Sequence, residues 1–180
     1  MINILRDKYG LDRKEINFII VYVILLLIFI VILPNVIFRL DTIISGSMKN
    51  TFQINDTICT NKLVYFFEEP KRGEIISFKL ADDDKDKYTK RIIGVPGDTV
   101  TIKEGYVYIN NEKIEEDYTI YLNENAGPFR VPEDTYFLMG DNRPDSYDSR
   151  YWNEKYIPIE NIIGKVIFSY NIKELKFKIH

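Results

Sequence analysis

Three short stretches hold residue types that could do chemistry together. Ser45-Gly46-Ser47-Met48 sets two hydroxyls around a glycine, so the backbone can turn sharply and expose one Oγ while a neighbouring hydroxyl or N–H faces a developing oxyanion. A serine hydroxyl needs a base. The one histidine is His180, the final residue of the sequence, where fraying is expected, so Ser-His-Asp and His-ligated metal chemistry have little to work with and lysine or carboxylate is left. Lysine serves only when neutral, which calls for an apolar pocket, a nearby cation, or both. Lys90 fits that demand: in Tyr88-Thr89-Lys90-Arg91-Ile92, strand alternation places Lys90 with Tyr88 and Ile92, and Arg91 on the other face in need of a carboxylate. The third stretch, Gly140-Asp141-Asn142-Arg143-Pro144-Asp145-Ser146-Tyr147-Asp148-Ser149-Arg150, is dense in turn-formers, hydroxyls and paired charges. Its Ser146 hydroxyl is a candidate to orient the lysine amine, and Asp148 with Arg150 a charge network that could also hold Arg91.

The bland readings are a linker for the serine stretch, a surface lysine in a strand, and a loop that satisfies its own backbone. The elements that position these stretches bear on the choice. Residues 16–38 carry no formal charge over 23 positions. As a helix they extend about 34 Å against a hydrocarbon core of about 30 Å, enough to span a bilayer. Pro34 falls in the last turns. Arg6, Lys8, Arg13 and Lys14 precede the run while only Arg39 and Lys49 follow closely, so the positive-inside rule puts residues 1–15 in the cytoplasm and residues 39–180 outside. A cleaved signal competes with an anchor here, because Ser45-Gly46-Ser47 has small residues spaced as at a cleavage site. The run is longer than a signal core, and Arg39 and Asp41 interrupt the approach.

Beyond Ser47, short runs rich in β-branched and aromatic residues alternate with turn signals. Strands are expected over 56–65, 74–80, 88–95, 100–103, 106–109, 112–114, 135–139 and 162–170. A type II turn is expected at Val95-Pro96-Gly97-Asp98 and a two-residue hairpin turn at Asn110-Asn111. The charge run 82–87 reads as a solvated loop; a calcium role for Asp82, Asp83 and Asp84 lacks the glycine and terminal glutamate of an EF-hand. The expected class is mainly β: one transmembrane helix followed by an antiparallel β domain. A net charge of −3 without long basic blocks argues against nucleic acid, and a single cysteine, Cys59, excludes an intrachain disulfide and reads as a small buried hydrophobe.

In this order the stretches resemble the motifs of bacterial type I signal peptidases, membrane-bound Ser/Lys endopeptidases. The resemblance maps the nucleophile to Ser47 and the general base to Lys90. It maps the oxyanion hole to the Ser47 N–H and the Ser45 hydroxyl, with Ser146 supporting the lysine. Arg72-Gly73-Glu74-Ile75-Ile76 is similar to the family's structural turn and strand, and Gly94-Val95-Pro96-Gly97-Asp98 continues the base motif. Lys49 and Asn50 depart from the residues common after the nucleophile, and Pro144 stands where an acidic residue is common. The short spacing from Lys90 to Gly140 suggests the compact form of the family, and a lysine base points to its bacterial type. The resemblance implies no metal or organic cofactor, signal peptides of exported preproteins as substrates, and a place in the bacterial cell membrane near the secretion translocon. Substrate is expected as an extended strand, with Ile43, Ile44, Met48 and Tyr88 forming shallow apolar pockets for Ala-sized residues, and Met48 and Phe52 touching lipid. The competing classes are an inactive or specialised membrane-anchored peptide-binding β module and a Ser/Lys protease that cuts itself or a regulator.

Overall fold

The computed structural model describes residues 12–80, 83–171 and 174–180. A helix begins where the sequence offers a reciprocal cap: the Asp12 carboxylate accepts from the Glu15 N–H at 2.8 Å, and Glu15 accepts from the Asp12 N–H at 2.8 Å. This helix, α1 (Arg13–Ile37), has a mean hydropathy of 3.3 over its most apolar window and is long enough to cross a membrane. Its turn at Ile28–Ile32 is widened to the π form, and Leu33 N–H reaches back to the Ile28 carbonyl. Pro34 follows immediately. A proline has no N–H to offer the preceding turn and its ring crowds the carbonyl four residues back, which a locally widened turn accommodates.

The remainder, residues 39–180, forms a separate compact unit. Its strands are β1 (Phe38–Thr42), β2 (Thr57–Asn61), β3 (Ile75–Leu80), β4 (Asp83–Gly94), β5 (Thr99–Lys103), β6 (Tyr106–Ile109), β7 (Glu112–Lys113), β8 (Ala126–Arg130), β9 (Thr135–Met139), β10 (Ile157–Pro158), β11 (Ile162–Asn171) and β12 (Lys176–Ile179). One sheet has the order β1-β2-β11-β3-β4-β9-β10, with β12 also paired to β11; a smaller sheet has the order β7-β6-β5-β8. The pairings of known register are antiparallel.

Alternation along β4 and β9 divides the apolar residues between two cores. Ile92 and Leu138 join Ile76, Phe78, Tyr136 and Trp152 on one side. Ile93, Phe137 and Met139 join Val100, Ile102 and Val107 of the small sheet on the other. A third cluster, Ile43, Met48, Phe52, Ile58, Ile75 and Val166, lies under the serine stretch. Both expected turns form. Gly97 has φ 83°, and Asn110 and Asn111 have φ 52° and 73°, as a type II turn and a type I′ hairpin require.

Four expectations are corrected. The run 82–87 is not a loop throughout, because β4 already starts at Asp83 and extends the charged residues as a strand; Asp82 lies outside the described residues. The strand expected over 56–65 stops at Asn61 and gives way to a helical turn at Val64–Phe66. Met48 and Phe52 do not face lipid. Phe52 N–H donates to the Met48 carbonyl at 2.9 Å, and this single helical turn aims both side chains into the third core, where each is 1% exposed. Nor does His180 fray: β12 returns it to β11, its Nε2 is 2.9 Å from Ser169 Oγ, and its ring meets Phe52 edge-on at 4.8 Å. Burial there pushes its pKa down to about 4.

Candidate active site

β1 delivers the chain into a loop whose backbone closes on itself at Ser47. Lys49 N–H donates to the Gly46 carbonyl at 2.9 Å and Thr51 N–H to the Met48 carbonyl at 3.0 Å. Met48 and Phe52 anchor this turn from the core side, leaving Ser47 8% exposed beside Ser45, with the two Oγ atoms 3.3 Å apart. The loop after β9 grips the turn from above. Asn142 N–H donates to the Ser47 carbonyl at 3.0 Å, its Nδ2 donates to the Gly46 carbonyl at 2.9 Å, and Asp141 N–H approaches Met48 Sδ at 3.5 Å. Gly140 must lack a side chain, since a Cβ there would lie 2.5 Å from the Ser47 carbonyl oxygen and would strike Ser146 Oγ.

Lys90 sits on β4 opposite Ile76 and is 4% exposed. Burial is the main force on its amine and pushes the pKa down to about 8. Asp148 opposes that shift, Arg150 assists it, and Asp141 and Asp145 oppose it further. Lys90, Ser47 and Ser45 line one cavity of about 250 Å³, together with Ile43, Ile44, Met48 and Tyr88. Thus the residues expected to act and those expected to receive substrate share a single space. In this structure the hydroxyl within hydrogen-bond reach of Ser47 Oγ is that of Ser45.

Ser146 Oγ donates to Asp148 Oδ2 at 2.6 Å, so the expected support of the lysine would use the hydroxyl's lone pairs. Asp148 is saturated: it also accepts from Gly140 N–H at 3.0 Å and from Arg150 through two guanidinium contacts of 2.8 Å. Arg91 lies outside this network, contrary to expectation. Its carboxylate is Asp141, held at 2.9 and 2.6 Å, while its third nitrogen donates to the Gly73 carbonyl at 2.7 Å. That pairing ties β4 to the first residue after Gly140, on the Ser47 side of the loop.

Sequence reading assigned no role to the segment 115–125, which straps this loop. Ile120 N–H donates to the Asp141 carbonyl at 2.8 Å, and Arg143 N–H returns to the Ile120 carbonyl at 3.1 Å. Glu116 meets Arg143 at 2.5 Å, Glu124 meets Arg150, and the Tyr118 ring lies 3.8 Å from the Arg91 guanidinium carbon. Each buried arginine of the loop therefore has an outer carboxylate as well as inner partners. Polar cavity residues also went unassigned, namely Asp41, Thr42, Ser77, Lys87 and Thr89, along with Ile58. Among the described residues, no group of three or more His, Cys, Asp or Glu could hold a metal.

The profile of the family described as "Signal peptidase, peptidase S26" matches residues 15–171. The chain belongs to the signal peptidase family. That match begins in the first turn of α1 and ends with β11, so it takes in the serine turn, the Lys90 strand and the loop after β9. Among signal peptidase relatives, the chain is 42% identical over 127 residues to a probable signal peptidase I-2 of Synechocystis sp., covering 67% of this chain and 57% of that one. It is 39% identical over 131 residues to a signal peptidase I of Leptolyngbya laminosa, covering 68% of this chain and 64% of the relative. The chain thus spans about three fifths of the length of these two relatives. A solved structure, a signal peptidase I from Enterococcus faecalis, is 34% identical with a TM-score of 0.46, covering 54% of this chain and 97% of the other.

Proposed function

We infer that the chain is a membrane-bound serine endopeptidase that removes amino-terminal signal peptides from exported preproteins, cutting after small residues in Ala-x-Ala sites. The observation that carries this reading is the buried lysine, with its pKa near 8, lining the same cavity as a hydroxyl held in a tight turn. Membership of the signal peptidase family supports it.

In this mechanism neutral Lys90 takes the proton of Ser47 as its Oγ attacks the scissile carbonyl. The Ser47 N–H and the Ser45 hydroxyl, already beside the nucleophile, receive the negative charge of the tetrahedral intermediate. Collapse expels the new amino terminus, to which Lys90 returns the proton, and leaves an ester on Ser47. Lys90 then deprotonates a water that attacks the ester, and the proton goes back to Ser47 Oγ. Asp148 and Arg150 act as positioning residues, presenting a balanced pair of charges behind the amine. Arg91 does the same for the loop by holding Asp141.

Substrate enters as an extended segment. β1 is the edge strand of the large sheet and contributes Asp41 and Thr42 to the cavity, so a peptide can pair with its backbone while side chains enter the cavity. α1 anchors the chain in a bacterial cell membrane, with residues 1–15 in the cytoplasm and residues 39–180 outside, near the translocon from which preproteins emerge. The experiment is cleavage of a purified preprotein with an Ala-x-Ala site by detergent-solubilised wild type and Ser47→Ala, the new amino terminus being identified by mass. Cutting after the second alanine, lost in the variant, is the expected result. No cutting by wild type under conditions where an active peptidase cuts would instead favour a peptide-binding module.

A further inference from the structure

The cavity in front of Ser47 is chemically divided. Its apolar lining is Ile43, Ile44, Met48, Ile58 and Tyr88. Its polar lining includes Ser77 and Thr89, which face each other across the β3–β4 pairing and so share one side of the sheet. Ser77 is 2% exposed and its Oγ is 2.9 Å from that of Thr60, which is 0% exposed. Buried Ile58 and Ile75 stand two residues before Thr60 and Ser77 on their strands, and buried Val166 pairs with Thr60 across the sheet. Two hydroxyls in such a setting satisfy one another, but together they carry two O–H donors and their mutual bond uses one. Ser77 is the member of the pair that lines the cavity. The floor beneath a substrate side chain is therefore able to give and to accept a hydrogen bond.

Charge narrows the guest. Asp41, which lines the cavity, is already compensated by Arg39 at 2.7 Å, so it makes little demand for a basic residue, and a basic guest would meet Lys87 and Lys90. An acidic guest would lie near Asp41 and would hold Lys90 in the protonated form that cannot act as base. What remains is a small neutral polar group. We propose that Ser77, backed by Thr60 and Thr89, is a specificity-determining residue that gives this cavity a preference for a hydroxyl-bearing side chain, Ser or Thr, at one of the two small-residue positions before the cut. This rests on the reading of Ser47 as a peptidase nucleophile.

The test uses the full chain in detergent and preproteins that carry Ala, Ser, Thr or Val, one substitution at a time, at the first or the third position before the cut. Thr and Val have the same shape, so their ratio in kcat/KM isolates the hydroxyl. At one of the two positions Thr is expected to exceed Val by roughly fivefold, the worth of one modest buried hydrogen bond. In Thr60→Val/Ser77→Ala, which removes both hydroxyls without stranding either, the ratio should fall to near one. Val equal to or better than Thr at both positions in the wild type overturns the proposal, and so does a ratio that survives the double substitution. Titration of the same peptides into Ser47→Ala separates this from the peptidase reading. Tighter binding of Thr than Val there sustains the subsite even if no preprotein is cut, and equal binding overturns it.

Discussion

Replacing Lys90 by methionine should abolish turnover and at the same time make the folded domain more stable. The buried amine has its pKa pushed from 10.5 down to about 8, chiefly by burial. A displacement of that size corresponds to about 3 kcal/mol spent on keeping the protonated form in the folded state. The sign follows from proton binding. Below pH 8 the lysine is protonated in both folded and unfolded chains, and the folded state carries the whole penalty. Between pH 8 and 10.5 the folded lysine is neutral while the unfolded one still binds a proton, so wild-type stability rises with pH across that window. Methionine fills similar volume without the charge. Its advantage should therefore be largest at pH 7, worth several degrees in Tm, and should vanish near pH 10.5. Thermal unfolding of wild type and Lys90→Met across that pH range measures it. A variant less stable than wild type at pH 7, or a gain that does not change with pH, would refute the reasoning. With Lys90 as the proposed base, a pKa near 8 makes it about one-tenth neutral at pH 7 and nine-tenths at pH 9, so kcat/KM should rise about tenfold. An unperturbed lysine would give about a hundredfold rise over those two units.

Four further outcomes are expected. Arg91→Ala leaves the fully buried Asp141 with the Thr51 hydroxyl but without its ion-pair partner, which should cost about 3–5 kcal/mol in denaturant unfolding; a change below 1 kcal/mol would show the pair to be dispensable. Gly140→Ala pushes a methyl against the Ser47 carbonyl and should lower kcat by about a hundredfold or more while circular dichroism keeps the β signature. Ser146→Ala removes a donor to Asp148 and should slow turnover about tenfold without abolishing it, and unchanged kinetics would contradict its positioning role. Cys59 is buried and burial raises its thiol pKa, so a thiol reagent should label it only as the domain unfolds; rapid labelling of the native protein would overturn its placement.

What could be read in the sequence was local. Val95-Pro96-Gly97-Asp98 and Asn110-Asn111 carry their turn chemistry in adjacent residues, and both turns form as read. Lys90 stood out because its strand neighbours are apolar, and the structure buries it. β8 went unread because Gly127-Pro128 lies inside it and both residues signal a break. β1 was hidden at the end of an apolar run that reads as one helix, although the helix ends at Ile37 and the strand starts at Phe38. The carboxylate for Arg91 had to be chosen among several acids of one loop, and alternation along β4 says nothing about which of them the fold brings near. Glu116, Glu124 and Ser77 carry no local signature at all. Their roles come from a strap without regular structure and from a hydroxyl pair on two strands that are not neighbours in the sheet.

The order in which this site is laid down along the chain has a consequence of its own. Ser47 and Lys90 belong to the first half of the chain, but the groups that grip the serine turn and balance the lysine, Asn142, Ser146, Asp148 and Arg150, come near its end, with the strap between. Chains fold from the amino terminus as they are made, and contacts this distant in sequence form late. A chain ending at Met139 should hold both residues of the proposed dyad and turn over nothing. On the proposed reading, activity waits until these last-made groups have closed over Ser47 and Lys90.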